Sequence, residues 1–153
     1  ASNIEEWGQY FKPQEWPDNV LDYMHRSVIE HALIPLRQLC RFSMWPSSIA
    51  RAHVRHECGR SQHCTLDEEG LKRLSTATDV HVKTIKQMIV AAINARKIAA
   101  IGGIGIYFNT NTPMIHIDTR VKKITWLVTK GGKYIYLDNS PFEFILELSK
   151  HCE

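Results

Sequence analysis

Two histidines and an aspartate, each in or beside an apolar run, are the residues of this chain best suited to hold a metal ion. They lie in Ser61-Gln62-His63, in Ala77-Thr78-Asp79-Val80-His81 and in Met114-Ile115-His116-Ile117-Asp118-Thr119-Arg120. A hydrolytic zinc site needs three such protein ligands and one position left for water. His63, Asp79 and His116 are the expected ligands. On an extended segment His116 and Asp118 project to one face and Ile115 and Ile117 to the other. Asp118 then stands where it can accept a proton or orient the imidazole. The plain alternative is an edge strand with a solvated polar face, and a lone Asp in a run such as Ala77–Val80 is more commonly a turn or surface residue.

A second donor set competes with the first. His53, His56, Cys58, His63 and Cys64 cluster in sequence, but thiol-rich zinc sites are typically closed and structural, and this spacing differs from that of paired zinc knuckles. Residues 49 to 63 also hold Arg51, Arg55, Glu57 and Arg60. Ionisable groups at such density cannot be buried without partners, so the stretch belongs on a surface or around an ion.

The elements that would carry these groups can be read from periodicity. Trp7, Tyr10, Phe11 and Trp16 form an aromatic arm around Lys12-Pro13. Asp18-Asn19 offers a helix cap, and apolar residues at helical spacing from Val20 to Leu33 continue to about Arg41, with Pro35 expected to kink or split the helix. Phe42 to Ser48 reads as a strand entering a loop, residues 66 to 75 as a short helical insert, and Ala77 to Val82 as a strand. Lys83 to Lys97 predicts a helix with Ile85, Met88, Ile89, Ala92 and Ile93 on its apolar face. Ile98 to Ile106 suggests a glycine-rich turn into a strand. Met114–Asp118 and Lys123–Val128 follow as strands, Gly131-Gly132 as a hairpin turn before Tyr134–Tyr136, and Asn139-Ser140-Pro141 as the cap of a last helix, Phe142–Leu148. The expected class is α+β, with a small antiparallel sheet and flanking helices.

Composition narrows the choice of partner. At 153 residues and 44% apolar content the chain fits one domain with a sizeable core. Its formal charge is +3 with no basic run, so nucleic acid is not an expected partner, although a polyanionic cell wall is compatible. No apolar stretch approaches the roughly 18 residues of a membrane span. The polar, acidic start (Ala1 to Glu6) is unlike a signal peptide. Cys40, Cys58, Cys64 and Cys152 do not have the spacing of a small disulfide scaffold. The expectation is a protein made in a cytoplasm, with mostly reduced cysteines.

The ordered motifs resemble the zinc D-Ala-D-Ala peptidase superfamily of bacterial cell walls and phages, which shares its fold with the Hedgehog signalling domain. The phage-type branch is the nearer likeness. The features that carry it are Ser61-Gln62-His63, Ala77-Thr78-Asp79-Val80, the helix from Lys83 and Gly102-Gly103-Ile104-Gly105-Ile106-Tyr107. His116-Ile117-Asp118-Thr119-Arg120 and Trp126 complete the series. Upstream, residues 10–16 and 33–37 look like that branch's N-terminal arm and first helix. The likeness covers roughly residues 10–127 of a single expected domain, with residues 128–153 as a hairpin-and-helix extension. It implies a peptidase hydrolysing peptidoglycan stem peptides, phage-encoded and of endolysin or virion type. Zinc would sit on His63, Asp79 and His116. Asp118 would serve as base, and His81 or Arg120 would stabilise an oxyanion or bind a carboxylate.

The chain also departs from the family. Relatives have a shorter spacer between the first His and the Asp, whereas fifteen residues separate His63 from Asp79 here, with Asp67 as a fallback ligand. Ser43-Met44-Trp45-Pro46-Ser47-Ser48 lacks the family's carboxylate-binding Arg, for which Arg51, Arg55 or Arg60 could substitute. Pro113 stands where several relatives have an acidic base. These departures imply an alternative: a virion structural or wall-binding module that keeps the fold without turnover.

Overall fold

The computed structural model describes residues 9–11, 24–47, 62 and 74–152. His63, Asp67, the cysteines Cys58 and Cys64, the basic and histidine-rich stretch 49–61 and the expected insert helix, up to residue 73, lie outside these residues.

Within them the chain runs through a π-helical segment (Val28–Leu33), helix α1 (Ile34–Cys40), strand β1 (Trp45–Ser47), β2 (Ala77–His81), helix α2 (Ile85–Arg96), β3 (Gly103–Tyr107), β4 (Met114–Asp118), β5 (Ile124–Val128), β6 (Tyr134–Tyr136) and helix α3 (Pro141–Ser149). The class is α+β, as the alternation of periods predicts. The sheet is mixed rather than antiparallel. Its order is β1-β2-β4-β3-β5-β6, and β3 pairs with β5 in parallel. The physical reason is that β4 enters between β2 and β3, so the connection from Asp118 to Ile124 passes the end of β3 and brings β5 up on its far side.

Pro35 neither breaks nor ends the first helix. Proline lacks an N–H and its ring crowds the carbonyl four residues back. The wider π turn before it accommodates this: Ile34 N–H donates to Ile29 O, five residues back, and α1 then continues from Ile34. Helix α2 starts where Thr84 caps it, Oγ1 accepting from Gln87 N at 3.0 Å, while Gln87 Oε1 accepts from Lys83 N at 3.0 Å. Its buried residues are Met88, Ala91, Ala92 and Ala95. Ile85 and Ile93, expected inside, are exposed. Three alanines make up most of the buried stripe, and side chains that small permit a closer helix–sheet approach than isoleucines would.

Period-2 alternation gives the sheet two different faces. Val80, Ile115, Ile106, Leu127 and Ile135 form one row across it, and Thr78, Ile117, Ile104 and Thr125 the next. These rows pack with Val28, Ile29, Leu33, Leu36, Met88 and the α2 alanines into one core, which Phe144 of α3 joins. The register places Asp79, His116, Gly105, Trp126 and Tyr136 in a single row on the opposite face, continued to Ser47 on β1. The β5–β6 turn works because Gly132 adopts φ 88, a left-handed conformation that a side chain would oppose.

Candidate functional site

The row opposite the core brings Asp79 and His116 into direct cross-strand register. His116 Nδ1 lies 3.5 Å from Asp79 Oδ1, and its Nε2 lies 2.7 Å from Asp118 Oδ2. All three residues are buried. Asp118 is gripped on every side. Both its oxygens meet the Arg120 guanidinium, Nε at 2.8 Å and Nη2 at 2.6 Å, and Oδ1 also accepts from the Gly103 amide at 2.9 Å.

Two glycines make this packing possible. A Cβ on Gly103 would stand 2.2 Å from Asp118 Oδ2, and one on Gly105 would stand 2.7 Å from the Trp126 indole. Real Cβ atoms do not approach so closely, so Gly103 leaves the space that the carboxylate fills and Gly105 the space over which Trp126 reaches His116. The two rings lie 5.3 Å apart, and the Arg120 guanidinium sits 5.5 Å from the Trp126 centroid on its way to Asp118.

The electrostatics follow from these partners. Burial would lower the His116 pKa, but hydrogen bonds and charge from Asp118 and Asp79 outweigh it and hold the imidazole above its ordinary value. Burial would raise Asp118, yet His116 and Arg120 hold it well below the usual carboxylate range. Tyr107 is pushed up to about 12, chiefly by burial, although Trp126 Nε1 donates to its hydroxyl at 3.3 Å. It keeps its proton at neutral pH.

The site opens into a cavity of about 640 Å³. Asp79, His116, Arg120, Trp126 and Tyr107 line it, together with Gln62, Asn109, Thr110, Tyr134 and Tyr136. Gln62 is the described neighbour of His63, and it is fixed: its carbonyl accepts from Thr76 N at 2.9 Å and its Oε1 from Thr76 Oγ1 at 2.8 Å. Gln62 is thus held as part of the cavity wall.

The expected residues sort as follows. Asp79, His116, Asp118 and Arg120 come together. His81 projects from the same face but sits one row away, stacked on Trp45 at 5.8 Å with Nε2 2.6 Å from Ser47 Oγ. Burial lowers its pKa, against an opposing pull from Asp79, and it is not among the described residues lining the cavity. His63 and its rivals His53, His56, Cys58 and Cys64 lie outside the described residues, as does Asp67. Among the described residues no group of three His, Cys, Asp or Glu side chains converges as a complete ligand set. Tyr107, Trp126, Tyr134 and Tyr136 belong to the site although their chemistry alone did not single them out. The signals available were the resemblance, whose motifs include Tyr107 and Trp126, and the i, i+2 spacing that puts Tyr134 and Tyr136 on one face of their own strand.

Asp79 and His116 fit one edge of a zinc site. Ligands at about 2.0–2.1 Å on a tetrahedral ion stand roughly 3.3 Å from each other, close to the separation here. With Nε2–H donating to Asp118, the neutral ring carries its lone pair on Nδ1, the nitrogen facing Asp79. The chain matches no family model, no curated protein and no solved structure.

Proposed function

We propose that this chain is a zinc-dependent, peptidase-like domain of the Hedgehog and D-Ala-D-Ala peptidase fold, phage-encoded and directed at peptide bonds in peptidoglycan stem peptides. The observation that carries the reading is the buried Nδ1–Oδ1 pair of His116 and Asp79, braced from behind by Asp118 and Arg120 and open in front to a peptide-sized cavity. His63, whose neighbour Gln62 lines that cavity, is the proposed third ligand.

A zinc ion held there would supply water activated near neutral pH and a Lewis acid for a peptide carbonyl. The residues do the rest. Asp118 fixes the tautomer and tilt of His116, and Arg120 keeps that carboxylate ionised and in place. Asp118 is thereby assigned to positioning; its buried oxygens, bonded to His116, Arg120 and Gly103, are poorly placed to take a proton from the cavity. Tyr107, protonated at neutral pH and hydrogen-bonded to Tyr134, stands at the cavity wall and would donate to an oxygen that gains negative charge by exchanging that partner. Arg120 lines the same wall and offers positive charge to a peptide carboxylate.

One observation favours the second reading, a fold-retaining module without turnover. Pro113 occupies the place of a base, and Asp79 is the one carboxylate among the described residues lining the cavity. The decisive experiment measures zinc content in wild type and His116→Ala alongside release of muropeptides from purified peptidoglycan. One zinc per chain, lost in the variant, with release by wild type, is the expected result. Zinc lost in the variant without release by wild type selects the non-catalytic module. Zinc unchanged by His116→Ala removes this site, and its loss on Cys58→Ser and Cys64→Ser would assign it to the cysteine–histidine cluster.

A further inference from the structure

The last strand adds something to the cavity that the metal-binding row does not require. Tyr134 and Tyr136 are alternate residues of β6, so both rings project to the site face, roughly 6.8 Å apart along the strand. Both line the cavity, and both are exposed, at 53% and 37%. Tyr136 lies in register with Trp126, their rings 6.3 Å apart, so the pair extends an aromatic wall outward from His116. Asn109 and Thr110 face the same cavity with amide and hydroxyl groups.

The chemistry of this wall selects its occupant. An ammonium group would want the open face of Trp126 and a spare carboxylate. That face already has the Arg120 guanidinium near it, and Asp79 is engaged with His116. A greasy side chain would want an enclosed apolar pocket; Met114 and Ile124 also line this cavity, but it is an open cleft in which polar groups outnumber them. A pyranose matches both features: its axial C–H face lies flat on an aromatic ring, and its hydroxyl and N-acetyl rim meets amides and hydroxyls.

We propose that Tyr134 and Tyr136 form a stacking platform for the pyranose rings of a β-linked N-acetyl amino sugar chain, beside the metal-binding row. The platform deepens the function proposed above and rests on that reading for the choice of sugar. It would seat the glycan strand while the attached peptide reaches His116 and Asp79.

The test is calorimetric titration of metal-stripped full-length protein with the β-1,4-linked tetramer of N-acetylglucosamine, which separates sugar binding from zinc and from hydrolysis. Wild type is expected to bind saturably. Tyr134→Ala and Tyr136→Ala should each weaken binding about tenfold, the loss of one stacked ring. Tyr134→Phe and Tyr136→Phe, which keep the rings, should stay within about twofold of wild type. Failure of wild type to bind overturns the platform, as does unchanged binding in both alanine variants or an equal loss in the phenylalanine variants. Saturable binding by a protein that holds no zinc would sustain the platform while overturning the peptidase reading, so the two can fail separately.

Discussion

One sheet carries two faces that obey different rules. Toward the helices, the row from Val80 to Ile135 is aliphatic, and its neighbour adds Ile104 and Ile117 with two threonines. Its stability comes from area removed from water, which is non-directional and tolerant of which carbon touches which. Toward the cavity, the alternating residues of the same strands are Asp79, His116, Asp118, Gly103, Gly105 and Trp126. Here burial is sustained by particular bonds: Asp118 is stable inside because His116, Arg120 and Gly103 satisfy it. The lesson is that shifting any strand by one residue would exchange the faces, exposing the core and burying unsatisfied charge at once. The register is therefore held from both sides.

Substitutions can separate the two faces. Ile117→Ala, deep in the core, should show the largest effect, about 2–5 kcal/mol lost in urea denaturation, with the zinc content of the folded fraction unchanged. Gly103→Ala should cost about 1–3 kcal/mol, because its Cβ drives into the Asp118 carboxylate, and zinc affinity should fall with stability. If its zinc affinity stayed at the wild-type value, Asp118 would not be what holds His116. Asp118→Asn should weaken zinc roughly ten- to a hundredfold in a chelator competition, the usual cost of losing a ligand's supporting carboxylate. Smallest of all, Thr125→Val on the core face removes the hydroxyl that accepts from Arg96 Nη1. About 1 kcal/mol of stability should go, with zinc affinity untouched. Should Thr125→Val disturb zinc as strongly as Asp118→Asn, the two faces would not be independent.

Much of this contrast is legible in the sequence. His116-Ile117-Asp118 announces its two faces by alternation alone, and β2, α2, β4, β5, β6 and α3 fall within a residue or two of where period and capping put them. What alternation lacks is any statement of neighbours. Nothing in Gly103-Ile104-Gly105 says that β5 will lie beside it in parallel, and without that pairing Trp126 cannot be placed over Gly105. The glycines read as a turn signal; their use is to leave room for Asp118 and Trp126. The buried stripe of α2 departs from its hydrophobic pattern for a related reason: hydrophobicity favours Ile85 and Ile93 for burial, while packing of a helix on a sheet favours the small Ala91 and Ala95. Asp118 shows the same limit for roles: its sequence spacing suits a base as well as a support. The bonds from Arg120 and Gly103, on which the positioning role is proposed, are visible only in the structure. No helix among the described residues is long and apolar enough to cross a membrane, in line with the absence of a long apolar run.

The placement of β4 between β2 and β3 also orders events in time. His116 meets Asp79 only after the chain has run out through α2 and β3, turned, and closed back against β2, so the contact encloses a long loop whose closure entropy must first be overcome. Pairings of that kind form late and slowly compared with a helix or a hairpin. A chain still emerging or half collapsed therefore keeps these two side chains apart. On the zinc reading proposed above, loading would follow completion of the sheet.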